Sequence, residues 1–349
     1  MRVLLTGHDG YIGTVMSPVL AAAGHEVVGL DSFLFGGCGF GGNVEIPSMP
    51  MDVRDVQLPA LKGLDAIVHL AAICNDPVGN LDPSCTYAIN HEASVRLAEL
   101  AKEAGIQRFL FSSSCSLYGA SNTDELLTEE AAFNPVTPYG MSKVLVERDV
   151  ARLADDTFSP VFLRNATAYG VSPRLRADVV LNNLAGYACT TGEVLIHSDG
   201  SPWRPLVHVE DIARAFVAAL EAPREAVHNQ AFNVGADEEN YRIRDLAEIV
   251  MEAVPGSSVT FAPGGGPDIR DYRVGFDKIR RALPSFTPRW TVREGVAELV
   301  AMYRDAGITR EEFLGPRFVR LERIRERLSE GSIDAVLRPV DLPIAASDR

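Results

Sequence analysis

The sequence of 349 residues predicts an α/β protein built on a doubly wound parallel β-sheet. Short, continuous apolar runs alternate with stretches that have helical periodicity, and a glycine-rich turn joins the first run to the first helical stretch. Alternation of this kind places helices on both faces of a parallel sheet. Strands that are buried on both faces also read as continuous apolar runs. The predicted strands cover residues 3–5, 27–30, 66–70, 109–111 and 161–163.

The helical stretches of this first part cover residues 11–23, 85–104 and 142–153. After about Gly170 proline and glycine cluster, and predicted helices at 179–189 and 244–253 break the alternation. Residues 232–234 are predicted to form a strand that returns to the sheet, and the charged tail contains a predicted helix at 318–328.

Composition and charge exclude several classes of function. With 33 basic and 47 acidic residues the formal net charge is −14, which disfavours nucleic acid as a partner. No apolar run is long enough for a membrane span, and the N-terminal run is too short for a signal peptide. Five scattered cysteines without a C-x-x-C pair are typical of free thiols in the cytoplasm, and no metal site is predicted.

The glycine-rich turn predicts a site for a dinucleotide. Gly7, Gly10 and Gly13 lie between the first strand and the first helix, so that the backbone can approach a pyrophosphate at the helix N-terminus. Asp31 ends the second strand, where a carboxylate can bond the ribose hydroxyls of NAD and would repel the 2′-phosphate of NADP. No basic residue occurs between Asp31 and Asp52, so NAD is the predicted cofactor.

A second group of residues predicts redox chemistry at a carbinol carbon. Tyr139 and Lys143 are four residues apart and therefore share one helical face. A neighbouring ammonium and a positive nicotinamide ring should lower the pKa of the phenol, so that Tyr139 can remove a hydroxyl proton. Ser114, at the end of a predicted strand, can bond the reacting oxygen.

Together these motifs resemble the extended short-chain dehydrogenase/reductases, in the group of nucleotide-sugar epimerases and dehydratases. The resemblance runs from the glycine loop to about residue 305 and includes His69-Leu70-Ala71-Ala72, Tyr87 with Asn90, and the stretch from Arg164 to Gly170. It implies a Rossmann fold, bound NAD, a Ser-Tyr-Lys catalytic set, a UDP- or dTDP-hexose as substrate and a homodimer.

The resemblance also assigns residues to the two ligands. The cofactor residues that it implies are Gly7, Gly10, Tyr11, Ile12, Gly13, Asp31, Asp52, Val53, Leu70, Ala71, Ala72, Asn90, Tyr139 and Lys143. Those implied for the substrate are Cys74, Ser116, Thr167, Asn183, Arg204 and Arg270. Arg204 and Asn183 correspond to residues that meet the sugar-nucleotide diphosphate, and Arg270 is a substitute for an arginine that this chain replaces by Gly265.

The change in composition and pattern after about Gly170 suggests a division of the chain. Residues 1–170 are predicted to form the NAD-binding domain. The chain is predicted to return to the sheet of this domain at about residues 205–240. Residues 171–204 and 241–306 are predicted to form a smaller substrate-binding region, and 307–349 a helical tail specific to a subgroup.

Two departures from the family's pattern narrow the reaction. Related dehydratases and decarboxylases carry acidic residues directly after the catalytic hydroxyl residue, where this chain has Cys115 and Ser116. Epimerases of the family often carry a lysine where this chain has Cys74. The predicted reaction is epimerisation of a nucleotide-linked sugar at C4 through a transient keto intermediate. One-way reduction of a 4-keto sugar and NAD binding without catalysis are the alternatives, and Cys115 is interpreted as a packed thiol.

Overall fold

The computed structural model describes residues 1–74, 76–120, 125–263 and 270–340. Its strands are β1 (Arg2–Thr6), β2 (Glu26–Asp31), β3 (Ser48–Pro50), β4 (Ala66–His69), β5 (Arg108–Ser114), β6 (Ser159–Asn165), β7 (Thr167–Tyr169), β8 (Glu193–Ile196), β9 (Trp203–His208), β10 (Gln230–Val234), β11 (Asn240–Arg242) and β12 (Ser258–Phe261). Seven of them form a parallel sheet in the order β10-β6-β5-β4-β1-β2-β3. The five predicted strands and the returning strand at 232–234 all belong to this sheet, which has the predicted doubly wound order.

The helices are α1 (Gly13–Ala22), α2 (Asp76–Gly79), α3 (Pro83–Tyr87), α4 (Ala93–Glu103), α5 (Pro138–Ala151), α6 (Val180–Thr191), α7 (Val209–Glu221), α8 (Arg224–Val227), α9 (Ile243–Ala253), α10 (Asp277–Ala282), α11 (Val292–Asp305), α12 (Arg310–Leu314) and α13 (Arg320–Glu330). Leu20 of α1 and Phe216 of α7 are buried in the core on one face of the sheet. Leu97 of α4 and Val146 of α5 are buried on the other face, as the alternation of strands and helices predicts.

The stretch predicted as one helix over 85–104 is interrupted. Between α3 and α4 the chain makes one π-helical turn, Ala88–Glu92. Such turns insert a residue into a helix and often occur near functional sites. This turn carries Asn90, whose side chain bonds the backbone of Ile73 beside the predicted cofactor motif.

A second core lies beyond the main sheet. A three-stranded sheet, β11-β9-β7, and a parallel pair, β12-β8, pack with α6, α9 and α11 around buried side chains such as Leu184, Leu246 and Leu299. The predicted helices at 179–189 and 244–253 correspond to α6 and α9, whereas the short strands were not predicted. The boundaries of a separate substrate-binding region stay a prediction.

The tail folds back onto the main sheet. Ile324 of α13 is buried in the same core as Leu97 and Val146. Beyond α13, Val336 accepts a hydrogen bond from Nη1 of Arg54 at 2.9 Å. No helix in the described part of the chain is long and apolar enough to cross a membrane.

Candidate active site

A cleft of about 960 Å³ opens at the carboxyl ends of the parallel strands. The strand order reverses between β1 and β4, and ligands of open α/β sheets bind outside this reversal point. Every predicted catalytic, cofactor and substrate residue except Asn90 lines this cleft. The fold therefore brings residues separated by more than 250 positions to one cavity.

The glycine loop has no room for side chains. Gly7 has a φ of +73°, and a Cβ there would lie 2.8 Å from the backbone nitrogen of Ala71. A Cβ on Gly13 would lie 2.2 Å from the carbonyl oxygen of Gly7. Because α1 begins at Gly13, its first backbone N–H groups face the cleft with a partial positive charge. The loop therefore fits a pyrophosphate.

Two carboxylates, Asp31 and Asp52, line the part of the cleft that is predicted to hold the adenosine of NAD. Asp31 ends β2 and accepts hydrogen bonds from the backbone nitrogens of Asp9 (3.0 Å) and Phe33 (2.8 Å), which fix its direction. Burial raises the pKa of Asp31, although the two backbone donors and His8 oppose the change. Asp52 pairs with Arg54 at 2.6 Å, and this ion pair joins the wall of the cleft to the tail.

The three predicted catalytic side chains meet on one wall. Thr137 accepts a hydrogen bond from the backbone nitrogen of Gly140 at 3.1 Å and starts α5 there, so that Tyr139 lies in the first turn. Tyr139 hydrogen-bonds with Ser114, which ends β5. The Lys143 ammonium lies 5.5 Å from the centre of the Tyr139 ring.

Burial is the main influence on the pKa values of Tyr139 and Lys143. Burial raises the pKa of Tyr139, with a smaller contribution from Cys74, and the hydrogen bond with Ser114 only partly opposes it. Lys143 donates to the carbonyl oxygen of Ser112 at 2.7 Å, and burial lowers the pKa of Lys143 to about 8. Without cofactor the net pKa of the phenol is therefore raised, because desolvation is the largest effect. That the ammonium and a nicotinamide ring together lower it stays a prediction.

Asn90, which was predicted to bind the cofactor, does not line the cleft. It is 1% exposed. Its carbonyl oxygen accepts from the backbone nitrogen of Ile73 (2.7 Å), and its amide group donates to the carbonyl oxygen of Ile73 (2.9 Å) and to the Ser142 hydroxyl (3.2 Å). Ser142 in turn donates to the carbonyl oxygen of Tyr139 at 2.7 Å. Asn90 therefore positions α5 against the cofactor wall.

The predicted substrate residues occupy the opposite part of the cleft. Nη1 of Arg204 donates to the carbonyl oxygens of Trp203 (2.7 Å) and Arg270, which anchors the guanidinium on β9. Arg270 pairs with Asp76 of α2 at 2.6 Å, so that an ion pair connects the two sides of the opening. Thr167, Ser116 and Asn183 line the same cleft.

Sequence reasoning missed buried cations in this cleft, among them Arg176. Its side chain pairs with Asp178 at 2.8 Å, and its Nη1 lies 3.1 Å from the sulfur of Cys74. Arg176 therefore places a positive charge beside the position where related epimerases carry a lysine. Two arginines in Arg174-Leu175-Arg176, directly after Pro173 in a strongly acidic chain, were the signal that could have indicated it.

A buried ion pair supports the catalytic wall from behind. Arg164 of β6 and Glu147 of α5 are 2.7 Å apart and almost completely buried. Glu147 also accepts from the Ser113 hydroxyl at 2.5 Å, and Arg164 donates to the Tyr118 hydroxyl at 3.1 Å. Cys115 is buried and directed at the carbonyl oxygen of Arg164, as expected for a packed thiol.

Comparisons with known proteins agree with this geometry. Residues 3–235 match the NAD dependent epimerase/dehydratase family. The UDP-glucose 4-epimerase of Mycolicibacterium smegmatis is 31% identical over 318 residues, which covers 87% of this chain and 99% of that protein. The UDP-glucose 4-epimerase of Neisseria meningitidis serogroup B is 26% identical over 338 residues, which covers 87% and 96%.

Solved structures give the same result. The structure of MoeE5 in complex with UDP-glucuronic acid and NAD has a TM-score of 0.75 at 26% identity, and the match covers 88% of this chain and 100% of that one. The matched region of the family model contains the glycine loop, Ser114, Tyr139 and Lys143. This chain therefore belongs to the NAD dependent epimerase/dehydratase family and is an NAD-dependent enzyme of the extended short-chain dehydrogenase/reductase type.

Proposed function

We propose that this enzyme interconverts the C4 epimers of a nucleotide-linked hexose through a transient 4-keto sugar. The observation that carries the proposal is the convergence of Ser114, Tyr139 and Lys143 on one wall of the cleft, between the glycine loop and the predicted substrate arginines. In this arrangement a sugar hydroxyl can meet the phenol while its nucleotide extends towards Arg204.

Each catalytic residue has a separate task in this proposal. Tyr139 takes the proton from the C4 hydroxyl and later returns one to the C4 oxygen. Ser114, already bonded to Tyr139, holds the reacting oxygen within reach of the phenol. Lys143 keeps a cation beside the ring. Bound NAD supplies the hydride acceptor and donor, together with a positive charge that favours the phenolate against the desolvation described above.

Other reactions of the family need an acid that this wall lacks. At the two positions after Ser114, Cys115 is buried against the backbone of Arg164 and Ser116 presents a hydroxyl. The carboxylate of Asp76 influences Tyr139, but it pairs with Arg270 at 2.6 Å. These observations favour redox chemistry at one carbon over dehydration or decarboxylation.

Retention of the cofactor separates an epimerase from a 4-ketoreductase. An epimerase recovers its hydride in each cycle and can keep its cofactor, whereas a reductase must exchange it. Four arginines of the tail bond the segment that follows Asp31 and hold it against the cofactor end of the cleft, namely Arg317, Arg320, Arg323 and Arg327. This enclosure favours the epimerase.

The substrate is proposed to be a UDP- or dTDP-hexose, with its diphosphate on Arg204 and Asn183. A charge of −14 makes local cations necessary for such a ligand, and Arg204 and Arg270 supply them in one half of the cleft. We also propose the homodimer that the resemblance implies, which light scattering of the purified protein tests.

The experiment is an assay without added cofactor. Purified protein is incubated with UDP- and dTDP-hexoses, and both C4 epimers are separated by chromatography. We expect epimers to form and a nicotinamide cofactor to be released when the protein is denatured. If no epimer forms but a 4-keto sugar is reduced in proportion to added NADH or NADPH, the enzyme is a ketoreductase.

Tyr139→Phe tests the catalytic assignment in the same assay. Loss of a positioned proton-transfer group costs about 10²–10⁴-fold in rate, while NAD should remain bound. Tyr187→Phe is a matched control, because Tyr187 of α6 packs against Phe313 of α12 and does not line the cleft. A near-normal rate for Tyr139→Phe would show that another group moves the proton.

A further inference from the structure

The tail holds the segment that follows Asp31, residues 33–40, through side chains directed at its backbone. Three arginines donate to its carbonyl oxygens, Arg317 to Gly39 (2.9 Å), Arg323 to Gly36 (3.0 Å) and Arg327 to Leu34 (2.8 Å). Leu34, Phe35 and Leu337 of these two segments line the cleft. The tail is therefore part of the wall on the cofactor side.

Arg320, the first residue of α13, differs from the other three. It is 3% exposed and lines the cleft. Its guanidinium stacks 4.5 Å from the centre of the Phe35 ring, and Nη2 donates to the carbonyl oxygen of Arg174 at 3.0 Å. Its Nη1 is buried and forms no hydrogen bond with the described residues. The thiol of Cys38 interacts with the same guanidinium, but burial raises the pKa of this thiol, so that it is not a counter-ion.

A buried guanidinium with an unused donor is unfavourable without an anion. An unsatisfied donor loses its hydration without compensation, and the penalty is larger for a charged group. The carboxylate of Asp178 is near Arg320 but forms its ion pair with Arg176. Burial accordingly lowers the pKa of Arg320. The arrangement is that of a cation prepared for a ligand that the protein itself does not provide.

The neighbours of Arg320 indicate which anion this is. Arg174, whose carbonyl oxygen Arg320 bonds, has its own guanidinium 2.7 Å from the carboxylate of Asp9 in the glycine loop. Phe35 belongs to the segment that leads away from the ribose-binding position of Asp31. These contacts connect Arg320 to the glycine loop and to the segment after Asp31, the two features that flank the expected path of the phosphates of a dinucleotide.

We propose that Arg320 binds the pyrophosphate of NAD and that the C-terminal tail is therefore part of the cofactor site. The family model ends at residue 235, so this contact comes from a part of the chain outside it. The glycine loop binds the pyrophosphate through backbone N–H groups, and Arg320 adds the compensating charge from the opposite side.

The test compares ligands with and without phosphates on protein freed of its cofactor. Arg320→Gln keeps a donor for the carbonyl oxygen of Arg174 and removes the charge, whereas Arg320→Lys keeps the charge. Calorimetry with NAD and ADP, and NMR titration with adenosine, give the affinities. We expect Arg320→Gln to weaken NAD and ADP at least about tenfold and adenosine less than about twofold. Arg320→Lys should recover part of the loss.

Several results would overturn the proposal. Equal losses for ADP and adenosine would make Arg320 a structural anchor of the wall. UDP is titrated in parallel, and a loss of affinity for UDP in place of ADP would assign Arg320 to the substrate. Unchanged affinity for all three ligands would remove it from the site. Arg325→Ala is the matched control, because Arg325 lies on the same helix, is 58% exposed and pairs with Glu322. Thermal melting of every variant verifies that it is folded, and the NAD content after purification gives an independent measure of retention.

Discussion

The buried histidine beneath the cofactor wall predicts a specific loss of stability in mild acid. His69 ends β4 and is 1% exposed. Since the Ser94 hydroxyl donates to the carbonyl oxygen of Asn90 (2.7 Å), it must accept from Nε2 of His69 (2.7 Å). Nδ1 of His69 then accepts from the Thr6 hydroxyl at 2.6 Å. The neutral ring therefore satisfies both nitrogens, and a second proton has no place.

The size of the expected loss of folding stability follows from the pKa of His69. Burial, with a smaller effect of Lys143, lowers the pKa of His69 to about 3, whereas its value in the unfolded chain is about 6.5. The unfolded state therefore binds the proton first, and stability is complete above about pH 6.5 and decreases as the pH falls towards 3. At about pH 5.5 the folded-to-unfolded ratio should have dropped roughly tenfold, which is about 1.4 kcal/mol. The largest loss of stability, reached near pH 3, is about 5 kcal/mol.

The assay is denaturant unfolding of the wild type and of His69→Gln, whose amide can accept and donate but does not titrate. The comparison runs from about pH 8 to about pH 5.5, above the isoelectric point of about 5.0, so that the protein keeps its negative charge. Carboxylates common to both proteins cancel in the difference. The stability advantage of the wild type should shrink by about 1.4 kcal/mol on acidification. A constant difference, or a His69 ring that titrates near pH 6.5 by NMR, would refute the reasoning.

Three further predictions concern the cofactor, the substrate and the core. The carboxylate of Asp31 should make the apo-protein bind NAD more tightly than NADP in calorimetric titrations, and equal or tighter binding of NADP would contradict this. Arg204→Ala should weaken UDP about tenfold or more and leave NAD unchanged; unaltered affinity for UDP and for dTDP would remove Arg204 from the site. Glu147→Gln leaves the buried Arg164 without a counter-ion and should lower the free energy of unfolding by about 3–5 kcal/mol. Glu252→Gln, which breaks the exposed pair with Arg293, should have little effect. Similar losses for the two variants would argue against a special role for the buried pair.

The main sheet was predictable because its signals are local. Buried parallel strands require continuous apolar runs, so residues 3–5 and 109–111 identify their strands without knowledge of their neighbours. The short strands β7, β9 and β11 have only three to six residues and pair with partners distant in sequence, so no local periodicity distinguishes them. The π-helical turn at Ala88–Glu92 depends on a tertiary bond from Asn90 to Ile73, which a helical pattern does not contain.

Residues of the candidate site were predictable where spacing carries the chemistry. Tyr139 and Lys143 share a helical face, and the glycines of the loop are fixed by close backbone contacts. The balance of electrostatic effects was not predictable, because desolvation depends on how closely other elements pack around the phenol. The raised pKa of Tyr139 is the net result of a burial that the sequence does not encode at any one position.

The arginines of the cleft were predictable only in part. An acidic chain that binds two diphosphate ligands must concentrate positive charge in its cleft, and here the arginines come from separate parts of the sequence. Arg176 follows β7, Arg204 lies on β9, Arg270 precedes α10 and Arg320 begins α13. Each has anionic or carbonyl partners that fix its direction before any ligand arrives, so that little conformational entropy is lost on binding. If Arg320 binds the cofactor as proposed, docking of the tail and retention of NAD should depend on each other, a coupling that fits the proposed epimerase.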